Sequence, residues 1–290
     1  MSFVKSTSDI SPLMSVTAGA FSGLIVRFVV APIDIVKIRL QLYNGTTHAR
    51  YHSIFSTVSS ICKEEGIFAF WKGNVPAGAL YVVYGASQFT AFTSISNIVS
   101  MMEDYFSLDV EGNVYHAGRN TFVGASAGSV ATCVSYPLDL LRTRLASNES
   151  KSFHRLGKEI RDIWQDGGIT GFFRGSMTGV AYIAMSTGLS FGSYSVLVRE
   201  WEGTQLENWS GVCAGVFSKT IVYPLDLMKR RMQMGWQKTV WKTLQSVVKE
   251  GGVRGLYRGL LPALLKSAPA TGVSLYCYEF FVRLFKKHPF

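Results

Sequence analysis

One short pattern of a proline, an acid and a base occurs three times in the sequence. Each copy reads Pro-x-Asp-x-x-Lys/Arg, and the charged residues are Asp34 and Lys37, Asp139 and Arg142, Asp226 and Lys229. Residues three apart on a helix share a face, so the acid and the base of each copy point the same way. With three such helices around an axis, each acid can meet a base of a neighbour and close one end of a central cavity.

Three further bases stand in otherwise apolar surroundings. Arg27 and Lys219 each lie seven residues before a signature Asp, which is nearly two helical turns, or about 10 Å along the axis. Lys266 is the single charge in its segment, and copy two has Thr132 at the position of Arg27. Snorkelling to an interface is the alternative interpretation of each cation. With no acid expected beside them in the cavity, the three cations favour an anion of more than one charge, such as a phosphate ester.

Aromatic and uncharged side chains recur at helical spacing in two further segments. Leu80, Tyr84 and Gln88 are four residues apart, with Tyr81 beside them. Tyr182 and Ser186 occupy the equivalent face of the second copy. Such tyrosines commonly serve packing, but at mid-span they could stack on a heteroaromatic or cationic ring.

These residues belong to three repeats of one unit. A second block, aromatic-base-Gly, ends at Gly73, Gly175 and Gly259. The signature prolines are 105 and 87 residues apart and these glycines 102 and 84, so the two spacings agree within a few residues. We place the repeats at 1–104, 105–203 and 204–290. The extra length of the first interval falls near 101–118, which we interpret as an inter-repeat loop.

The composition indicates a membrane protein. The 290 residues are 48% hydrophobic and 17% charged, with a net charge of 29 − 19 = +10 and a mean hydropathy of +0.19. Residues 73–102 and 175–198 carry no charge and 259–278 carry only Lys266, against about 20 residues needed to cross a bilayer. We predict an all-α protein of six transmembrane helices, two per repeat, in pseudo-threefold symmetry, with both termini on one side.

Shorter segments between the paired helices are amphipathic. Residues 153–165 and 236–249 have apolar side chains at helical spacing, and we predict one short surface helix in each repeat. Residues 1–9 have the composition of neither a secretory leader nor a transit peptide. The four cysteines are far apart and are interpreted as small apolar packing residues. Neither they nor the histidines have the spacing of a metal site, so no metal is expected.

Other function classes fit the sequence less well. A nucleic-acid-binding protein would gather its bases on an exposed face, whereas here they cluster at the signature blocks or lie singly in apolar spans. The sequence from Gly124 to Gly128 matches a hydrolase nucleophile elbow, but its glycines recur in all repeats while Ser126 does not. A proton-leak or channel-like protein without tight solute specificity stays open.

The threefold signature and the aromatic-base-Gly blocks resemble the mitochondrial carrier family over essentially the whole chain. The resemblance implies a matrix-side gate that pairs Asp34 with Arg142, Asp139 with Lys229 and Asp226 with Lys37. Gln41 and Gln233 would brace this gate, while Ala146 leaves the third brace missing.

The resemblance also assigns the remaining sites. The substrate contact points would be Leu80-Tyr81, Tyr182-Ile183 and Lys266, and with the residues above the predicted substrate site is Arg27, Leu80, Tyr81, Tyr84, Gln88, Tyr182, Ile183, Ser186, Lys219 and Lys266. Cardiolipin phosphates would be held by Lys72, Gly73, Arg174, Gly175, Arg258 and Gly259. Of the family's cytoplasmic aromatic-acid pattern only Tyr278-Glu279 is kept, so a weak cytoplasmic gate is expected.

Within the family, the segments 70–76 and 84–89 resemble members that carry thiamine pyrophosphate. This implies a monomeric antiporter of the mitochondrial inner membrane with both termini toward the intermembrane space, not an enzyme, and without cofactor or nucleic-acid partner. It would exchange thiamine pyrophosphate or thiamine monophosphate with nucleotides. A carrier of coenzyme A or adenine nucleotides is the alternative, because the same cations would bind its diphosphate.

Overall fold

The computed structural model describes residues 12–43, 51, 53–106, 113–149, 156–237 and 239–287, and every regular element in these ranges is helical. The predicted all-α class is therefore confirmed for this part of the chain. The segment 1–9, for which no leader is expected, lies outside the described residues, as does the start of the helix predicted from residue 153.

Each repeat contributes two long elements and one short one. The long helices are α1 (Pro12–Gln41) and α3 (Asn74–Tyr105), α4 (Asn113–Ser147) and α6 (Ser176–Glu200), and α7 (Ser210–Gln233) with α9 (Leu260–Leu265) and α10 (Ser267–Lys287). The short helices are α2 (Ile54–Glu64), α5 (Leu156–Gly171) and α8 (Val240–Gly255), and 3₁₀ turns occupy Ile67–Trp71 and Gln205–Trp209.

The long helices form a ring in chain order. The helices α3 and α4, α4 and α6, and α6 and α7 pack side by side, and α10 closes the ring against α1. The signature prolines Pro32, Pro137 and Pro224 lie inside α1, α4 and α7. This order places the three signature segments next to one another around a common centre.

Two predicted boundaries were wrong. The stretch 101–118 is mostly helical, because α3 continues to Tyr105 and α4 begins at Asn113. The sixth long segment is interrupted at Lys266, between α9 and α10. Pro269 explains the interruption, since it lacks the N–H that would bond to the carbonyl of Leu265 four residues earlier.

By length and hydropathy, one helix of the described residues meets a strict criterion for a membrane span. It covers Thr17–Gln41 with a mean hydropathy of 1.8. The other long helices are rich in Gly, Ser and Thr, which lower their mean hydropathy. The spans 73–102 and 175–198 stay candidates because they carry no charge. The helices α4 and α7 do carry charges, which include those of the signature.

The interpretation of the cysteines as packing residues was wrong for three of them. Cys62, Cys133 and Cys213 are exposed on the protein surface, and Cys277 is partly exposed. Cys62 lies on the short helix α2, whereas the other two lie on the outward faces of α4 and α7.

Glycine starts the second long helix of every repeat. Gly73, Gly175 and Gly259 are the N-cap residues of α3, α6 and α9, with φ of 74°, 81° and 84°. A Cβ on Gly73 would lie 2.8 Å from the carbonyl oxygen of Arg142 in the next repeat. Both the left-handed conformation and the close approach require glycine there.

Candidate functional site

The three signature segments meet in a ring of ion pairs at one end of the central cavity. Arg142 lies 2.6 Å from Asp34, Lys229 lies 2.7 Å from Asp139, and Lys37 lies 2.6 Å from Asp226. Each pair joins two different repeats, and together the pairs close a circle. Because the Asp side chains are at most 9% exposed, these charges are stable only while paired.

Tyrosines before two of the prolines line the same ring. The ammonium groups of Lys37 and Lys229 lie 5.9 Å and 5.4 Å from the ring centres of Tyr223 and Tyr136. The tyrosine hydroxyls donate to the carbonyls of Arg258 and Arg174 at 2.8 Å and 2.7 Å. These hydrogen bonds connect the ring to the starts of α9 and α6.

Two glutamines contact the ring at the predicted brace positions. The amide of Gln41 donates to Asp226 at 3.0 Å, and that of Gln233 donates to Asp139 at 2.9 Å. The Gln233 oxygen accepts a hydrogen bond from Thr143 at 2.8 Å. Both glutamine side chains are fully buried.

Asp34, the acid without a glutamine, holds two additional cations. Arg27 lies 3.1 Å from one of its oxygens and Lys266 lies 2.7 Å from the other. The expectation that the cavity cations have no acid beside them was therefore wrong for these two. Long side chains cross the axial distance that we estimated from Cα positions, so Arg27 and Lys266 reach the floor of the cavity.

Lys219 is placed differently from Arg27, although the two occupy equivalent repeat positions. Its ammonium donates to the carbonyl of Ala263 at 2.5 Å and to the hydroxyl of Ser267 at 3.1 Å. Lys219 thus contacts the interruption between α9 and α10. These two partners flank Lys266 in the sequence.

Arg230 is a member of the ring that the sequence reasoning missed. Its guanidinium lies 2.9 Å from Asp139 and 3.9 Å from Asp226, and it is only 8% exposed. The equivalent residues in the other repeats are Ile38 and Thr143. A comparison of repeats therefore gave no signal for Arg230.

A pocket of about 230 Å³ lies directly above the ring. Five of the predicted substrate-site residues line it, namely Arg27, Leu80, Tyr81, Tyr84 and Ile183. Thr132, Ser135 and Tyr136 also line it, together with Asp139 and Lys229 of the ring. Apolar, aromatic and basic groups are thus combined in one cavity.

The other predicted substrate-site residues lie outside this pocket. Gln88 is exposed one turn further along α3. Tyr182 is partly buried on α6, and the carbonyl of Ser186 accepts a hydrogen bond from Ser218 at 2.8 Å. Lys219 and Lys266 lie on the α7, α9 and α10 side described above.

Of the basic residues before the N-cap glycines, Lys72 is buried, whereas Arg174 and Arg258 are partly exposed. Lys72 is 5% exposed, forms an ion pair with Glu65 and donates to the carbonyl of Asn148 at 2.9 Å. The predicted use of its ammonium for lipid phosphate is therefore wrong, because the charge is already paired inside the protein. Arg174 donates to the carbonyl of Asp166 at 3.1 Å, and Arg258 lies 4.5 Å from the ring centre of Tyr43.

The opposite end of the long helices has few ionic contacts among the described residues. Glu279 pairs with Arg283 on its own helix at 3.3 Å, with the Arg side chain 81% exposed. Arg119 pairs with Glu103 at 2.8 Å and joins α4 to α3. This second pair was missed, since it lies outside the repeated motifs.

The ring and the ionic residues around it have an excess of positive charge. Three acids, Asp34, Asp139 and Asp226, face six bases, so the local balance is 6 − 3 = +3. The six bases are Arg27, Lys37, Arg142, Lys229, Arg230 and Lys266. Such a site favours an anionic solute and offers no nucleophile paired with a base.

Comparisons with known proteins agree with this arrangement. The family model described as "Mitochondrial carrier protein" matches residues 8–103, 113–205 and 200–289. The chain is 40% identical to the mitochondrial thiamine pyrophosphate carrier 1 of Kluyveromyces lactis, over 93% of this chain and 90% of the relative. Identity to the proteins of that name from Scheffersomyces stipitis and Lodderomyces elongisporus is 40% and 38%, over 96% of this chain and 92% and 93% of the relatives.

Three family matches cover the three structural repeats, and the relatives align over nearly their whole length. A central cavity that is closed at one end by a ring of ion pairs fits a solute transporter. The chain therefore belongs to the mitochondrial carrier family and is a transporter, not an enzyme.

Proposed function

We propose that this protein transports thiamine pyrophosphate into the mitochondrial matrix, in exchange with nucleotides, and that it also accepts thiamine monophosphate. The observation that carries the proposal is the meeting of Arg27 and Lys266 at Asp34, beside a pocket that Arg27 lines together with three tyrosines. The names of the fungal relatives supply the particular solute.

The diphosphate has its partners at the cavity floor. Of the residues that pair with Asp34, Lys266 is the most exposed, with 28% of its side chain accessible. Among the described residues, the Nε of Arg27 is a buried donor without a hydrogen-bond partner. A phosphate oxygen satisfies this donor and gains the charge-assisted hydrogen bonds of both cations. Lys219, on α7, would add a third positive charge to the site.

The ring system of the solute is assigned to the aromatic wall. Tyr81 and Tyr84 line the pocket above Arg27, and the thiazolium ring carries a positive charge that an aromatic face attracts. Tyr182, Ser186 and Gln88 lie further along α6 and α3 and are assigned to the pyrimidine, whose nitrogens need hydrogen-bond partners.

Binding of the diphosphate would weaken the ring of ion pairs at one point. Arg27 and Lys266 hold Asp34 in the absence of solute, so a phosphate that attracts them leaves Asp34 with Arg142 alone. Asp139 and Asp226 each also have a glutamine and share Arg230 as further partners. Solute binding would thus release the contact of Lys266 with Asp34, which joins repeats three and one, and favour opening of the matrix side.

The ring acts as the matrix gate in this proposal. Asp34, Lys37, Asp139, Arg142, Asp226 and Lys229 form the gate, with Gln41 and Gln233 as braces and Arg230 as an additional base. Because all three ring pairs are formed, we assign the structure to a state with the matrix gate closed. The sparse ionic contacts at the opposite end fit a weak gate on the cytoplasmic side.

Placement in the inner membrane follows from the family and the helix lengths. The proposed spans are α1, α3, α4, α6, α7 and the pair α9 and α10. The helix α3 has 32 residues and is thus about 48 Å long, more than the roughly 30 Å of a hydrocarbon core. The helices α2, α5 and α8 would lie at the matrix interface, with both termini in the intermembrane space.

Cardiolipin is the proposed lipid partner at the starts of α3, α6 and α9. A pocket of about 220 Å³ at the start of α3 is lined by Gly73 and by apolar side chains such as Trp71 and Leu145. The exposed residues Val75, Met177 and Leu261 repeat the apolar rim two residues after each glycine. Backbone amides at these helix starts, rather than Lys72, would bind the phosphate. The protein would act as a monomer, without a cofactor and without nucleic acid.

Uptake of labelled thiamine pyrophosphate into cardiolipin-containing liposomes bearing the purified protein tests the proposal. The liposomes are preloaded with thiamine pyrophosphate, a nucleotide, coenzyme A or buffer alone. We expect uptake only with an internal partner, and competition by unlabelled thiamine pyrophosphate. Entry of labelled coenzyme A or ATP without entry of thiamine pyrophosphate would assign the cavity to the alternative solutes. Proton conductance without exchange would indicate a leak.

A further inference from the structure

An arginine follows the gate base by two residues in every repeat. Arg39, Arg144 and Arg231 each stand seven residues after their signature proline. They lie about 3 Å closer to the helix end than the gate bases. None of them contacts a gate acid in the described part of the chain, so their role differs from that of the gate.

Arg39 connects the first repeat to the second. It is 2% exposed, and it donates to the carbonyl of Ala146 at 2.9 Å and to that of Asn148 at 2.6 Å. Within its own repeat the same guanidinium binds Glu65 at 3.0 Å and Tyr51 at 3.0 Å. Burial raises the pKa of Tyr51 to about 12, so its hydroxyl stays neutral beside the cation.

Arg231 makes the corresponding contacts between the third repeat and the first. It is also 2% exposed, and it donates to the carbonyls of Gln41 at 3.3 Å and Tyr43 at 2.6 Å. Within its own repeat it pairs with Glu250 at 2.7 Å. Both arginines therefore bind an acid in or next to the short helix of their own repeat and two carbonyls of the neighbouring repeat. Arg39 also lies 3.6 Å from Glu149 of that neighbour.

The carbonyls concerned are at the ends of α4 and α1. They belong to the residues nine and eleven positions after the next repeat's proline. The last carbonyls of a helix have no donor within the helix, and the negative end of the helix dipole attracts a cation. Each arginine thus binds the C-terminus of a helix that belongs to another repeat.

The contact that the third arginine, Arg144, makes between the second and third repeats is weaker. Arg144 donates to the carbonyl of Gln233 at 3.3 Å, and among the described residues it forms no ion pair. A polar cleft of about 420 Å³ opens beside it, lined by Arg144, Ser147, Asn148, Glu159, Asp166, Arg174, Met234 and Gly235. Glu159 and Asp166 face this cleft without reaching Arg144 within ion-pair distance.

We propose that Arg39, Arg144 and Arg231 form a second inter-repeat latch on the matrix side of the gate, and that this latch is weakest between repeats two and three. Any outward movement of the repeats must separate these arginines from the helix ends that they hold. The latch therefore resists separation of repeats two and three less than it resists separation at the other two boundaries. This inference rests on the proposed transport cycle for its meaning, but not on the identity of the solute.

Distances between the short helices report the latch directly. Spin labels are placed on the exposed native Cys62 of α2, on Lys158→Cys of α5 and on Gln245→Cys of α8, in pairs, with the other three cysteines replaced by Ala. Double electron–electron resonance is measured in lipid nanodiscs without solute. In protein that retains all three arginines, we expect the distribution of α5 to α8 distances to be the broadest of the three.

Each arginine substitution should change the distance between the two short helices on either side of its own repeat boundary. Arg39→Gln should add a longer-distance population between α2 and α5, and Arg231→Gln should add one between α8 and α2. Arg144→Gln is the matched control, with a smaller change between α5 and α8. Arg39→Lys keeps the charge but loses the fork geometry of the guanidinium, so it should shift the α2 to α5 distance in the same direction. This variant replaces Arg39→Gln in the test if Arg39→Gln does not fold.

The outcomes separate this inference from the proposed function. Unchanged distances in folded Arg39 and Arg231 variants would overturn the latch, and equal changes at all three boundaries would overturn its inequality. Because no solute is added, a failed uptake assay with thiamine pyrophosphate leaves the distance results valid. Conversely, normal thiamine pyrophosphate exchange with unchanged distances would reject the latch alone.

Discussion

Asp34 differs from the other two signature acids in what surrounds it. Asp139 and Asp226 each have a glutamine and share Arg230, whereas Asp34 has Ala146 in place of the glutamine and binds Arg27 and Lys266 instead. A buried carboxylate needs such partners, because an unpaired charge in a low-dielectric interior is very costly. The missing brace is thus replaced by cations that also face the cavity.

Replacement of Lys266 tests this double role at the scale of one side chain. We expect Lys266→Ala to reduce thiamine pyrophosphate uptake by about ten- to a hundredfold, the value of one or two charge-assisted hydrogen bonds. Asp34 keeps Arg142 and Arg27, so the folded fraction in size-exclusion chromatography should not change. Lys249→Ala on the exposed face of α8 is the control and should transport normally. Undiminished uptake by Lys266→Ala would remove this residue from the substrate site.

At the scale of the elements, the N-cap glycines decide how closely the repeats approach. Gly73 has φ of 74°, and a Cβ there would lie 2.8 Å from the carbonyl of Arg142, a gate residue of the next repeat. A Cβ on Gly259 would lie 3.2 Å from the carbonyl oxygen of Lys37 in repeat one. The start of each second helix is therefore a fixed point of the inter-repeat contact.

Gly73→Ala should lower the thermal stability of the purified protein. The left-handed conformation costs a residue with a Cβ about 1 to 2 kcal/mol, and the contact with Arg142 adds to this. Gly85→Ala, on the same helix, is the matched substitution, since its Cβ would meet nothing within 4 Å and alanine favours helix. Its unfolding temperature should stay equal or rise. If both variants unfold at the same temperature, the close approach at Gly73 does not limit stability.

On the scale of the whole molecule, the three repeats form a closed circle rather than a row. The last helix α10 packs on the first helix α1, and Lys37 of repeat one reaches Asp226 of repeat three. The short helices of all three repeats belong to the same end of the ring, because each follows the C-terminus of its signature helix. This end carries the gate and the arginine latch.

The proposed topology makes a prediction about accessibility from the two sides of the membrane. In mitoplasts, an epitope at either terminus should react with antibody without permeabilisation. A membrane-impermeant maleimide should label Cys62 of α2 only after the inner membrane is opened. Labelling of Cys62 in intact mitoplasts would reverse the proposed orientation and place the gate on the cytoplasmic side.

Much of the architecture was determined by the sequence itself. Threefold repetition of a proline signature, with uncharged spans between the copies, specified helices in three pairs, because helical periodicity and local chemistry repeat with the residues. The family resemblance then indicated which acid faces which base. A comparison of repeats could also have found Arg39, Arg144 and Arg231, since a base stands at the same position in every copy.

Only the tertiary structure decided how individual charges are shared. Arg27 and Lys219 occupy equivalent positions, yet Arg27 binds Asp34 while Lys219 binds the carbonyl of Ala263. Lys72 stands in the same aromatic-base-Gly motif as Arg174 and Arg258, but it is buried against Glu65. A long flexible side chain takes whichever partner lies within its reach, and the partners come from other repeats. Spacing along one helix therefore determines the face of a charged residue, but the packing of three helices determines its partner.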